Sequence, residues 1–188
     1  MAPSHAHVVS HLQAAGFDAA EAEGRARLVA EATEGLLDST PHPARWGWFV
    51  PGRIEVFGKH TDYAGGRSLV AAVPRGFALV GTPRDDGCVR VVDARWKDAV
   101  EIDPADATTH YRGWANYVAV VVRRLAFNFP GADLGSELAF SSDLPRAAGL
   151  SSSSALVVAV ATALIRRAGL DRREDFQVAR QIELLGDE

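Results

Sequence analysis

The spacing of apolar residues changes from helical to alternating at Trp46 and back to helical near Gly113. That switch constrains the fold more than any other feature, because side chains recur every 3.6 residues on a helix face and every second residue on a strand. Residues 5 to 15 and 18 to 37 read as helices. The second carries Leu28, Val29, Ala32, Leu36 and Leu37 at helical intervals. "DSTPHPARWG" then reads as a linker. Short strands are expected over 46–50, 53–57, 68–73 and 76–82, the last two separated by Pro74-Arg75. "CVRVVD" and "DAVEID" form a hairpin pair, and Asp85-Asp86-Gly87 before them reads as a hairpin turn. Gly113 to Phe127 is helical, with Tyr117, Val121 and Leu125 on one face. "SELAFS" (136–141) is a strand, and 150–168 a helix closed by Gly169. A last helix begins near Asp171. Strands early and helices late, without regular alternation, predict an α+β layered domain. No G-x-G-x-x-G follows the first strand, which argues against a doubly wound nucleotide-binding sheet.

Composition narrows the function classes. The 188 residues are 47% hydrophobic, enough for a substantial core. A net charge of −4 with scattered arginines argues against binding nucleic acid through phosphate neutralisation. The most apolar run, Ala155 to Ile165, is too short to cross a bilayer, and the N-terminus lacks the pattern of a signal peptide. Cys88 is the only cysteine, so no internal disulfide forms, as suits a reducing cytoplasm. A cytoplasmic protein without a membrane partner is expected.

Two segments carry chemistry. In "SSDLPRAAGLSSSSALVVAVATAL" a strand leads through a loop into an apolar helix whose N-terminus is Ser151 to Ser154. Gly149 permits a tight turn, and unpaired N–H groups at the helix start favour an anion, phosphate above all. Serine hydroxyls add donors, and one could ligate Mg²⁺. The alternative is helix capping alone, which needs one serine. The loop is not a Walker A motif, since no G-K-[ST] follows the glycine. The other segment, "PGRIEVFGKHTDYAGG", crowds Arg53, Glu55, Lys59, His60 and Asp62 between glycines. Asp143, before Leu144-Pro145, reads as fixing the turn into the serine loop. His5, His7 and His11 form a candidate metal group, but an exposed terminal helix explains them better.

"LPRAAGLSSSSA" resembles the phosphate loop P-x-x-x-G-L-[GS]-S-S of the GHMP kinases, and "PGRIEVFGKHTDYAGG" is similar to the galactokinase signature G-R-x-N-x-I-G-E-H-x-D-Y-x-x-G. "WANYV" (114–118) resembles a further galactokinase segment. The three occur in family order within 45–165. The resemblance implies a GHMP kinase N-terminal domain over 41–188, with the left-handed β-α-β crossover of ribosomal protein S5 domain 2, preceded by a helical segment over 1–40. It implies a sugar kinase using ATP and Mg²⁺, transferring the γ-phosphoryl to a sugar hydroxyl, with C1 of galactose or a related sugar as acceptor. Gly149, Leu150, Ser151, Ser152 and Ser153 would hold the ATP phosphates, with Ser152 also a ligand for Mg²⁺. Trp114 and Tyr117 would lie beside the nucleotide, although burial on a helix also explains them. His60 and Asp62 would hold the sugar, and Arg53 would stabilise charge on the transferred phosphoryl group.

Departures accompany the matches. Lys59 stands where the family carries glutamate, and Glu55 where it carries asparagine. Lysine cannot accept a hydrogen bond, so Lys59 either attracts an anionic sugar or pairs with Glu55. Ala147 and Ala148 replace family glycines, leaving a positive-φ position strained or rebuilt. The family's catalytic aspartate is expected beyond the chain end, and Asp187 lacks its context. The chain is therefore expected to be an N-terminal part, inactive alone. A second reading, of a non-catalytic sugar or nucleotide sensor, is open.

Overall fold

A computed structural model describes residues 4–58, 64–145 and 149–172. Its elements are α1 (His5–Ala14), α2 (Ala19–Ser39), β1 (Trp46–Phe57), β2 (Leu69–Pro83), β3 (Val89–Asp93), β4 (Asp98–Ile102), α3 (Trp114–Asn128), β5 (Ser136–Ser142) and α4 (Ser152–Arg167). Five strands form one sheet in the order β1-β2-β5-β3-β4. The β1–β2, β2–β5 and β3–β4 pairs are antiparallel, whereas β3 and β5 run parallel. Parallel neighbours need a crossover connection, and here β4 and α3 supply it.

Strand alternation explains how the sheet is covered twice. Leu79, Val91 and Leu138 project to one face, where Val118 and Val122 of α3 meet Leu156 and Val160 of α4. Their sequence neighbours Val80, Val92 and Ala139 project to the other face against Ala32 and Leu36 of α2. Strands buried on both sides read as continuous apolar runs, as Leu138-Ala139-Phe140 does within central β5. Small residues let α2 lie close to the sheet: a Cβ on Gly35 would meet the Cβ of Ala94 at 2.5 Å.

Three expectations need correction. The four short strands are two long ones, since β1 runs through Pro51-Gly52 and β2 through Pro74-Arg75. Pairing steps from Pro51↔Gly76 to Arg53↔Ala72, so β2 bulges outward around Pro74. A bulge is where a sheet tolerates the missing proline N–H. Asp85-Asp86-Gly87 does turn the chain, with Gly87 at φ +76°, but it joins no hairpin. Its flanking strands β2 and β3 are separated by β5, which arrives later in sequence. Tyr117 does not share the buried face of Val121 and Leu125, for it is 42% exposed.

Gly169 closes α4 at φ +64°, as expected of a C-terminal glycine. The helix expected from Asp171 onward lies outside the described residues beyond Arg172, where Leu170–Arg172 form one 3₁₀ turn. In the central strand, Glu137 of β5 is buried and accepts from Arg84 Nη1 at 2.7 Å and Arg90 Nη1 at 2.8 Å. This ion cluster ties the ends of β2, β3 and β5 together.

Candidate active site

The serine loop begins where β5 leaves the sheet. Ser142 Oγ donates to the Gly76 carbonyl at 2.8 Å, and Gly76 N–H donates to Asp143 Oδ1 at 2.8 Å. Asp143 thus holds the loop to the middle of β2; its role is a long-range tie instead of the local turn expected from the sequence. Leu144 is buried beside it. Residues 146–148, including Ala147 and Ala148, lie outside the described residues.

The loop then turns through two left-handed positions, Gly149 at φ +71° and Ser151 at φ +54°. A non-glycine residue held there is strained, and such strain concentrates at ligand sites. Ser151 is the N-cap of α4, yet its hydroxyl makes no capping bond. Ser152, Ser153 and Ser154 fill the first helical turn, where N–H groups lack intrahelical partners. Capping therefore does not account for Ser151.

Beneath this turn lies β1. Arg53 N–H donates to the Leu150 carbonyl at 3.3 Å, and Arg53 Nε donates to Ser151 Oγ at 3.3 Å. Gly52 makes the approach possible, because a Cβ there would sit 2.6 Å from Leu144 Cδ2 and 2.9 Å from the Leu150 oxygen. Residues 98 apart in sequence are thereby joined, and an exposed guanidinium stands beside a helix N-terminus.

A cavity of about 640 Å³ opens on the other side of the serine turn. Ser152, Ser153 and Pro145 form one wall, with Trp114 and Tyr117 of α3 on another. Trp114 packs edge-on to Phe140 at 5.3 Å and donates its Nε1 proton to Asp98 Oδ2 at 3.1 Å, which fixes its ring. The β3–β4 turn closes the third side with Arg95 and Trp96. Asp93 holds that turn by accepting from the N–H groups of Arg95 and Trp96, while Arg95 Nη1 reaches the Ser142 carbonyl at 2.9 Å. Trp96 is 65% exposed. Sequence reasoning missed Asp93, Arg95 and Trp96. The available signal was an exposed tryptophan in a hairpin turn, where solubility alone would favour a polar residue.

Of the sequence-derived site residues, Trp114, Tyr117, Ser152 and Ser153 line this cavity, while Gly149, Leu150 and Ser151 form the serine turn that Arg53 contacts. Lys59, His60 and Asp62 lie outside the described residues. Glu55 is exposed on β1 opposite Val70. The histidines of α1 are exposed, as expected of a surface helix: His5 Nε2 meets Glu23 of α2 at 2.8 Å, and the rings of His7 and His11 stack at 6.2 Å.

Residues 116–187, which include the serine loop and α4, match the GHMP kinases N terminal domain. Over those residues the chain is a GHMP kinase N-terminal domain. Residues 38–83, containing β1 and β2, match the galactokinase galactose-binding signature, so the likeness within the family is to galactokinases. The galactokinase of Roseiflexus sp. (strain RS-1) is 38% identical over 142 residues, 74% of this chain and 32% of that protein. The galactokinase of Actinobacillus pleuropneumoniae is 35% identical over 132 residues, 69% of this chain and 34% of that one. The chain thus spans about a third of the length of these curated relatives. Lactococcus lactis galactokinase complexed with galactose superposes with a TM-score of 0.62 at 29% identity, covering 73% of this chain and 36% of that chain. Methanococcus jannaschii mevalonate kinase has a TM-score of 0.53 at 15% identity over 64% of this chain and 39% of its own, a likeness of fold alone.

Proposed function

We propose that the protein is an ATP-dependent sugar kinase of the galactokinase type. It transfers the γ-phosphoryl of ATP to a sugar hydroxyl, at C1 of galactose or a related sugar. The observation that carries this reading is the contact between Arg53 and the serine turn, which unites the sugar signature and the phosphate loop.

The residues present fit a nucleoside triphosphate. The cavity falls within the roughly 300–1,000 Å³ typical of small-molecule sites, and it combines aromatic walls with a helix N-terminus. Trp114 and Tyr117 offer rings to the base. The N–H groups and hydroxyls of Ser151, Ser152 and Ser153, with Gly149 and Leu150 shaping the turn, would receive the phosphates. Ser152 would contribute a hydroxyl to Mg²⁺, which supplies charge neutralisation on the phosphate oxygens. Arg53 would stabilise negative charge at the transferred group. In the transfer, a bond forms from the sugar oxygen to phosphorus, the bond to the ADP oxygen breaks, and the hydroxyl proton leaves.

Lys59, His60 and Asp62 are proposed as the sugar contacts on the strength of the signature they occupy. If Lys59 faces the sugar, an acidic sugar such as a uronic acid is the preferred substrate class. A single cysteine, Cys88, agrees with a cytoplasmic location. The test is ADP release by the intact protein with Mg-ATP and a panel of galactose, galacturonate, glucose and mannose. Turnover with galactose or galacturonate supports the reading. ATP binding with no turnover on any sugar refutes it and favours the sensor.

A further inference from the structure

A second cavity, of about 320 Å³, lies between the N-terminal helices and the edge strand β1 and shares no lining residue with the first. Val8 and Leu12 of α1, Val29 of α2, and Trp48 and Phe49 of β1 make it mostly apolar. Its lining contains two arginines and no carboxylate. Arg45 is exposed, but Arg25 is only 8% exposed. Arg25 Nε and Nη1 have no hydrogen-bond partner among the described residues, and neither does Nε1 of Trp46 in the same lining.

Burying guanidinium N–H groups such as Nε and Nη1 without an acceptor is costly. The Arg25 guanidinium carbon lies 3.8 Å from the Phe17 ring centroid and 4.8 Å from that of Phe49. Aromatic rings offset part of the charge, but they take none of the N–H bonds that the group must make. A neutral solvation role for water alone would not explain why apolar walls surround the cation. An acceptor carrying one negative charge and an apolar body would match this lining. A dianionic phosphate would leave its second charge to Arg45, which is exposed to solvent.

We propose that this cavity is a binding site for a small amphipathic carboxylate, an acyl or aryl acid. Its carboxylate accepts from Arg25, and its apolar part fills the space beside Val8, Leu12, Val29 and Trp48. The size sits at the lower end of the roughly 300–1,000 Å³ range of ligand pockets, which limits the occupant to a single short chain or ring. The site is separate from the proposed kinase site and does not depend on that activity.

The test is calorimetric titration of the intact protein with octanoate and, in parallel, octanol. The expected result is saturable one-to-one binding of octanoate, about 10- to 100-fold tighter than octanol, the advantage a charge-assisted hydrogen bond confers. Arg25→Met should erase that preference. Val29→Trp keeps Arg25 but fills the cavity, and should abolish octanoate binding; it decides the matter if Arg25→Met fails to fold. Neither ATP nor galactose should displace octanoate. Equal binding of octanoate and octanol, octanoate binding that survives Val29→Trp, or displacement by ATP overturns the proposal. No readout here uses phosphoryl transfer, so failure of the kinase reading leaves this test unaffected.

Discussion

Replacing Gly52 by alanine should damage nucleotide handling while leaving the protein folded. Gly52 has no left-handed φ, so alanine adds no backbone strain and the effect is steric alone. The new Cβ would lie 2.6 Å from Leu144 Cδ2, a side chain that can shift, and 2.9 Å from the Leu150 oxygen, which is backbone. Ordinary contact begins near 3.4 Å, so the Leu150 carbonyl must retreat by about half an ångström. Its bond from Arg53 N–H is already 3.3 Å long and would break. Overpacking costs about 1–3 kcal/mol, of which the lost hydrogen bond accounts for roughly 1. The larger consequence falls on the serine turn, because a misplacement of about 1 Å in a positioned group can cost 10²-fold in rate. A retreat half that size should lower kcat/KM for ATP by about tenfold. The assay is ADP release at varied ATP, with urea denaturation as a control for folding. A Gly52→Ala enzyme within twofold of wild type, and equally stable, would show that the close approach does not set the loop position.

Other outcomes follow from the same geometry. Arg53→Lys keeps the charge but loses the Nε bond to Ser151, and should lower kcat by about 10²-fold, as loss of an oriented charge-stabilising donor does, with ATP affinity changed far less. Single-turnover kinetics beside equilibrium ATP binding checks that split. Glu137→Gln removes the charged acceptor shared by Arg84 and Arg90 and should destabilise the protein by about 3 kcal/mol, near the low end for breaking a buried pair because both arginines keep some solvent; urea denaturation measures it. Asp86 is held at about 2 by its hydrogen bonds to Arg84. A lowered folded-state value contributes stability above the ordinary 3.8 that is lost as pH falls toward 2. Acid unfolding of Asp86→Asn followed by circular dichroism should therefore be shallower than wild type between those pH values, and parallel curves would refute the assignment.

Local chemistry made part of this molecule legible. Helix period, the C-terminal glycine of α4 and the serine-rich start of that helix are each written in a short local stretch, and all three stand where the sequence put them. Nonlocal pairing was not legible. Asp85-Asp86-Gly87 has hairpin composition, yet β5 inserts between the strands it joins. Pro51 and Pro74 looked like strand ends because the partner that absorbs them in a bulge cannot be read from either segment alone. The same limit hid Asp93, Arg95 and Trp96, which reach the cavity only because β3 lies parallel to β5 and brings its C-terminal end beside the serine loop.

That topology also explains why the loop can hold Ser151 in a strained left-handed conformation. Its entry is tied to β2 through Ser142, Asp143 and Gly76, and its exit is tied to β1 through Leu150, Ser151 and Arg53. Both anchors belong to one antiparallel ribbon, whose bulge at Pro51 to Gly76 lies directly between them. A bulge increases local twist and re-aims the residues beside it. Here it displaces β1 in register so that Gly52 faces the loop and Arg53 reaches its serine. The β1–β2 ribbon and the serine loop are therefore mechanically one unit: any shift in the ribbon moves both anchors of the loop with it.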